Sequence, residues 1–278
     1  MERKIWFITG ISCGMGQALA HSVMEAGDLV IGTFRDEDQA ATFNRANPEN
    51  GYSVVLDVTD EAQLRSAVEE IMAKYGRIDV LVNNAGVGVV GAIEEASTEE
   101  VRAVMEANFF GTLHLTQAVL PHMRANRKGY IVQISSHGGI KAFAGFGIYN
   151  ACKFALEGFS EALAQEVAPL GIKVSIVEPG PFRTSFAGNR LGTANREIAD
   201  YSETAGAFRT KLKGVDGKQE GGPKKAAEAI IALVNSENPS LRLPLGKTAL
   251  MTIGMKLDSV RADLETHRQT AENAIYNS

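Results

Sequence analysis

At 278 residues, with 45% apolar and 22% charged residues, the chain has the composition of an ordinary globular protein and the length for one large α/β domain. A formal charge of −5 argues against nucleic acid as the main partner, because a polyanion needs clustered Lys and Arg, and here they gather only in pairs such as Lys224-Lys225. Two cysteines, Cys13 and Cys152, are too few for a disulfide framework or a zinc site; with no membrane-length apolar stretch and no secretion signal in MERKIWFITG, a cytoplasmic protein without membrane contact is expected.

Short apolar runs alternate with helical patterns, as in β-α-β units around a parallel sheet buried on both faces. Strands are predicted at about 4–9, 29–34, 53–58, 79–84, 129–135 and 173–178, with helices at about 15–26, 37–46, 60–75, 98–123 and 148–168. Gly27, Gly76 and Gly171 each follow a helical pattern where a left-handed C-cap belongs. After Pro179 the alternation stops. Residues 181–222 carry scattered Gly, Thr, Asn and charge, and a connection of that length is read as a functional segment. Two more helices are predicted at about 223–236 and 256–274, with LRLPLG (241–246) as a short seventh strand between them. The expected fold class is α/β: a single domain over 1–278, a doubly wound parallel sheet of six or seven strands with helices on both faces.

The first strand runs into Thr9-Gly10-Ile11-Ser12-Cys13-Gly14-Met15-Gly16 and then into a helix. Glycines there let the backbone pass close to a pyrophosphate, and free amides at the helix N-terminus attract its charge. The alternative is a turn that only tightens strand-helix packing. Asp57, at the end of the third predicted strand, is placed to accept from an adenine amine, and Asn83-Asn84-Ala85-Gly86 ends the fourth.

Ser135 to Lys153 reads SSHGGIKAFAGFGIYNACK and sets Tyr149 and Lys153 four apart, on one helix face. An ammonium about 5 Å from a phenol favours the phenolate by about 3 kcal/mol at an effective dielectric near 20, bringing a pKa of about 10 down to about 8. A tyrosine so tuned exchanges a proton near neutral pH. Ser136 ends the apolar run before it and can bond the same substrate oxygen.

With these motifs in order, residues 4–185 resemble the NAD(P)-dependent short-chain dehydrogenase/reductase family, whose members have a Rossmann-like fold. The resemblance implies that Gly10, Ser12, Gly14, Met15 and Gly16 hold the cofactor phosphates, and that Asp57, Val58, Asn84, Ala85 and Gly86 line its adenosine side and the sheet edge. It matches Pro179, Gly180 and Thr184, with Phe182 between them, to the family's P-G-x-x-x-T motif, whose Thr hydroxyl contacts the nicotinamide carboxamide. It also implies a catalytic tetrad of Asn108, Ser136, Tyr149 and Lys153. In that tetrad Tyr149 gives a proton to a carbonyl oxygen as hydride reaches the carbon, and Lys153 acidifies the tyrosine and holds the nicotinamide ribose. Ser136 steadies the substrate oxygen, and Asn108 anchors a water that links Lys153 to solvent.

Where NAD-preferring members close the second strand with an acid, this chain has Phe34, followed by Arg35. A guanidinium suits a 2′-phosphate, so NADP(H) is expected over NAD(H); the alternative is a solvated charge beside Asp36, Glu37 and Asp38. Segment 181–222, with LRLPLG, resembles the branch of hydroxysteroid and retinol dehydrogenase-like proteins and is read as a substrate lid. The implied substrate is a small, moderately apolar ketone, aldehyde or secondary alcohol, and the C-terminal helix caps the fold or builds a homodimer or homo-oligomer.

A nicotinamide sensor without turnover would not need the intact tetrad, and an epimerase or dehydratase of the extended fold would carry a sugar-nucleotide domain. Phe143, Phe146 and Phe186 either wall the substrate site or pack the core. His137 is read as an exposed neighbour, and strand alternation turns Ser135 away from the site. His21, His114, His122 and His267 lack metal-ligand spacing, so no metal is expected.

Overall fold

Each predicted apolar run becomes a strand of one parallel sheet. The computed structural model describes residues 3–184, 186, 190–215 and 217–276. The first half of the chain forms β1 (Ile5–Ile8), α1 (Gly14–Glu25), β2 (Leu29–Phe34), α2 (Glu37–Ala46), β3 (Gly51–Val55), α3 (Glu61–Tyr75), β4 (Val80–Asn83), β5 (Gly88–Val90) and α4 (Thr98–Met105). A π turn (Glu106–Phe110) leads to α5 (Gly111–Asn126), β6 (Gly129–Ile134), α6 (Gly147–Val167), β7 (Ile172–Pro179), β8 (Leu191–Thr193), α7 (Ala207–Val215), α8 (Pro223–Asn235), β9 (Arg242–Leu245) and α9 (Lys247–Glu272).

The main sheet runs β3-β2-β1-β4-β6-β7-β9, all parallel, and the winding reverses between β1 and β4. In open α/β sheets a ligand crevice opens at the carboxyl ends of the strands flanking that reversal. Strand alternation supplies a core on each face. Ile5, Phe7, Leu81 and Ile131 join Leu64, Leu115 and Leu163 on one side, while Trp6, Ile8, Val82 and Val132 join Leu19, Val23 and Ile230 on the other. Trp6, Phe7, Ile8, Leu81 and Ile131 are wholly buried, which stabilises the fold by about 1.5–3 kcal/mol for each side chain.

Local signals set the helix ends. Asp36 and Asp60 accept from the third-residue amides of α2 and α3, and Ser97 with Glu100 forms a capping box on α4. Gly27, Gly76 and Gly171 have φ of 91°, 74° and 75°, the left-handed geometry their positions predict.

Three predictions need correction. The helix expected over 98–123 is interrupted by the π turn, which periodicity cannot reveal because apolar residues continue through it. The third strand ends at Val55, so Asp57 and Val58 lie in the connection beyond it. Residues 181–222, for which no strand or helix is predicted, contain both. β8 pairs with β5, α7 follows, and Phe182 bridges to Gly221. Among the described residues no helix is long and apolar enough to cross a membrane, and no cluster of three or more His, Cys, Asp or Glu is placed to hold a metal.

Candidate active site

The glycine loop is held open by its own Thr9 and by the side chains of Thr33, in β2, and Asn84, just past β4. Thr9 Oγ1 accepts from the amides of Asn84 and Ala85, each at 2.9 Å, and Thr33 Oγ1 accepts from Gly10 N at 2.8 Å. Asn84 Nδ2 donates to the carbonyls of Thr9 (2.8 Å) and Gly10 (3.1 Å), so this side chain braces the loop rather than facing a ligand. Asn83 is buried and ties β4 to Thr116 and Gln133.

Gly10 and Gly14 have φ of 70° and 65°, and a Cβ on Gly16 would stand 2.3 Å from Asn84 Nδ2 and 2.6 Å from the Gly10 carbonyl. Cys13 starts α1 without a side-chain cap, so the helix presents first-turn amides that no side chain of its own satisfies. Backbone without Cβ beside uncapped amides fits a dinucleotide pyrophosphate. Gly16→Ala is expected to destabilise the fold by about 1–3 kcal/mol and to weaken dinucleotide binding at least about tenfold. Thermal melts and a fluorescence titration with NADPH check both.

The remaining predicted cofactor residues ring this loop. Thr184 packs 3.3 Å from where a Gly14 Cβ would lie, and Met15 is half-buried against the core. Ser12 accepts from Arg190 Nη2 at 3.0 Å, an arginine of the 181–222 segment that the motif search missed. Gly180 N donates to Leu245 O, and Phe182 turns its ring onto Gly221. Asp57 Oδ1 holds Thr59, the Val58 carbonyl packs against Gly111, and the Cα of Gly86 faces Asn108 Oδ1. Arg35 is exposed and has no hydrogen bond or ion pair among the described residues, whereas Phe34 is buried against Phe43. A cleft of about 680 Å³ opens beside the loop, lined in part by Gly14, Gln17, Arg183, Thr184 and Lys224.

At the neighbouring strand ends, Ser136, Tyr149 and Lys153 come together. Ser136 Oγ accepts from Gly138 N at 3.0 Å and donates to the Pro179 carbonyl at 3.5 Å, and it lies near enough to the Tyr149 phenol to lower its pKa. Phe146 stacks on the Tyr149 ring (centroids 4.3 Å apart, 17° between planes), with Phe186 at 5.8 Å. Gly88 leaves the room: a Cβ there would press on Tyr149, Phe186 and Leu191. Phe208 of α7 touches Phe146 at 5.4 Å and extends this apolar wall, while Phe143 packs on His137 instead.

The electrostatics differ from the expectation. Lys153 Nζ lies 5.7 Å from the Tyr149 ring centroid but donates to the Ile134 carbonyl at 2.8 Å. Burial pushes the phenol well above its ordinary pKa, with Ser136 pulling the other way. Burial also pulls the Lys153 ammonium down, against the opposing influence of Cys152 and Glu157. Desolvation therefore dominates the shift of the phenol and favours its neutral form.

Two further predictions are revised. Asn108 is buried in the π turn with both ends of its amide committed to Val87, accepting from its N at 2.8 Å and donating to its O at 2.7 Å. Its side chain therefore positions the start of β5, leaving one amide hydrogen and one oxygen lone pair for any water. His137 is half-buried, its Nδ1 is 2.9 Å from Thr252 Oγ1, and burial lowers its pKa.

Behind Lys153 lies a charge cluster that sequence reading missed. Glu157, one turn further along α6, and Glu178 at the end of β7 are buried, and Arg242 of β9 bonds both together with Glu161. Ser135 faces this cluster: its Oγ and Glu157 Oε1 flank Gly139. Asn150 was also missed. It joins α6 to the loop after β6, donating to Gly138 O at 2.8 Å and accepting from Phe143 N at 2.9 Å. From the 181–222 segment, Arg209 of α7 meets buried Glu95 at 2.9 Å, and Glu95 also accepts from Ile198 N.

A glycine loop at the reversal of a doubly wound sheet, beside Ser136 and the buried Tyr149 and Lys153, fits a dinucleotide-dependent oxidoreductase architecture. The family model for short chain dehydrogenases matches residues 4–194, and the chain belongs to that family. It is 41% identical over 249 residues to a 3-ketodihydrosphingosine reductase of Bacteroides thetaiotaomicron, spanning 88% of this chain and 89% of that one. The solved structure of a short-chain dehydrogenase from Streptomyces avermitilis superposes with a TM-score of 0.93 at 43% identity, over 99% of this chain and 100% of that one. ElxO, solved with NADP bound, gives 0.75 at 27% identity, over 90% of this chain and 100% of that one.

Proposed function

We propose that the chain is an NADP(H)-dependent reductase of an apolar ketone or aldehyde, with Tyr149 as the proton donor. The observation that carries this reading is the buried Tyr149 phenol beside Ser136, walled by Phe146 and Phe186 with Phe208 behind Phe146, next to the glycine loop. A bound nicotinamide supplies the hydride. The substrate's carbonyl oxygen takes the Tyr149 proton as negative charge develops, and the Ser136 hydroxyl stabilises that charge. Lys153, fixed by Ile134, presents a positive charge beside the resulting phenolate. A raised phenol pKa suits the reducing direction, in which the residue must arrive protonated.

Gly10, Gly14 and Gly16 let the backbone reach the pyrophosphate, while Ser12 and Arg190 face it across the loop. Asp57 offers its second carboxylate oxygen to an adenine amine. Arg35, exposed and uncommitted just past β2, reads a 2′-phosphate by charge and by its planar fork. Segment 181–222 forms the substrate lid, its apolar side supplied by Phe186 and Phe208. The resemblance to a 3-ketodihydrosphingosine reductase supports a carbonyl borne on a long apolar chain.

NADPH oxidation with a panel of ketones and aldehydes, 3-ketodihydrosphingosine among them, tests the reaction class; no turnover with any of them would favour a nucleotide sensor. Arg35→Ala is expected to weaken NADPH binding about tenfold or more while leaving NADH within about twofold, as loss of one charge-assisted phosphate contact requires. Equal losses in paired titrations would mean that Arg35 does not read the 2′-phosphate.

A further inference from the structure

The last helix has a surface that its own chain does not cover. Only Ala249 and Thr252 of α9 are buried, and every residue from Leu257 to Glu272 is exposed. A helix of that length, about four turns with nothing packed on it, is marginal in water by itself. Its apolar residues are also ordered. Leu250, Ile253, Leu257, Val260 and Leu264 alternate at intervals of three and four, and His267 and Ala271 continue the count. Leu250, Leu257 and Leu264 are 60%, 54% and 68% exposed. Sustained spacing of 3.5 is the seam of a helix that packs against another helix.

The charges indicate which partner. Arg261 pairs with Asp258 at 3.5 Å, and Arg268 pairs with Glu265 at 2.7 Å and Glu272 at 3.9 Å. Lys256 and Asp263, seven apart on one flank of the seam, have no ion-pair partner among the described residues. Antiparallel pairing with a second α9 aligns Leu257 with Val260 of the second copy and Ile253 with its Leu264. That register sets Lys256 opposite Asp263 of the second copy, and Asp263 opposite its Lys256. A parallel pair would set Lys256 against Arg261. The antiparallel register also brings the tip of one helix to the root of the other, where Met251 and Met255 are exposed and a Cβ on Gly254 would meet nothing within 4 Å. A lipid surface fits less well, because α9 carries four basic and four acidic residues and interfacial membrane helices have cation-rich polar faces.

We propose that α9 is a self-association arm, through which two copies of the chain pair antiparallel along Leu250-Ile253-Leu257-Val260-Leu264. The pairing does not depend on the redox reading. Light scattering of the full chain at micromolar concentration tests it. Leu257→Glu with Leu264→Glu is expected to halve the assembly mass relative to the unaltered chain, with helicity by far-ultraviolet circular dichroism preserved. Lys256→Asp is expected to weaken association about tenfold or more, and Lys256→Asp combined with Asp263→Lys to restore it. The same mass for all four proteins would overturn the proposal. So would vesicles of phosphatidylserine that sediment the unaltered chain but not the double-glutamate variant while their masses agree.

Discussion

Replacing Tyr149 with phenylalanine is expected to lower kcat for carbonyl reduction by roughly 10²- to 10⁴-fold, the usual contribution of a positioned proton donor. The ring stays in place because its contacts are those of an apolar disc. Phe146 stacks on it at 4.3 Å, and Phe186 and Gly88 close over it. Ser136 still accepts from Gly138 N, so its oxygen keeps a partner. The melting temperature and the affinity for NADPH should therefore hold while turnover collapses. Steady-state kinetics beside a melt with and without NADPH separates the two, and a variant that turns over as fast as the unaltered enzyme would remove the proton-transfer role. The unaltered enzyme should keep its reductive rate as pH rises past neutrality, because burial holds the phenol protonated above its ordinary range.

Arg242→Ala is expected to cost about 3 kcal/mol of stability, read as a fall in Tm of roughly 6–10 °C. The guanidinium joins β9, β7 and α6 by bonding Glu157, Glu161 and Glu178, and two of these carboxylates are almost wholly buried. Removing it leaves them charged and unpaired in a medium that cannot solvate them. Its own side chain is 32% exposed, which places the cost toward the lower end for a broken buried pair.

The loss should depend on pH. Burial raises the Glu157 and Glu178 pKa values above the ordinary carboxylate range, and Arg242 pulls them back. A carboxyl whose folded pKa is raised stabilises the fold below its unfolded pKa, and that stabilisation is lost as pH rises through the folded value. Without Arg242 the folded values climb further, so the deficit should be largest at neutral pH and shrink toward about pH 4, where both groups are protonated in either protein. Urea denaturation across that range measures it, and a deficit independent of pH would assign the loss to packing alone.

What the sequence made legible was chemistry carried by neighbours along the chain. Tyr149 and Lys153 are one helical turn apart, Gly10, Gly14 and Gly16 belong to one turn, and Asp36 and Asp60 cap helices that begin beside them. Partners that meet only through folding were hidden. Arg242 lies 85 positions from Glu157, and Arg190 lies 178 positions from Ser12. Phe208 sits in a helix of nine residues, too short for its apolar period to stand out among the glycines around it. The sign of the Tyr149 shift was beyond reach for the same reason. The amine is visible at four residues' distance, whereas the desolvation that raises the phenol comes from burial among groups distant along the chain, Phe186 among them.

The extra residue wound into Glu106–Phe110 has an effect beyond Asn108 itself. Winding that coil as ordinary α-helix with no residue removed would swing α5 by about 100° relative to α4. Asn108 would then release Val87, and the strand whose Gly88 sits over Tyr149 would lose its mooring. An irregularity in a helix remote from the phenol along the chain thus acts as a spacer that fixes the height of the ceiling over it.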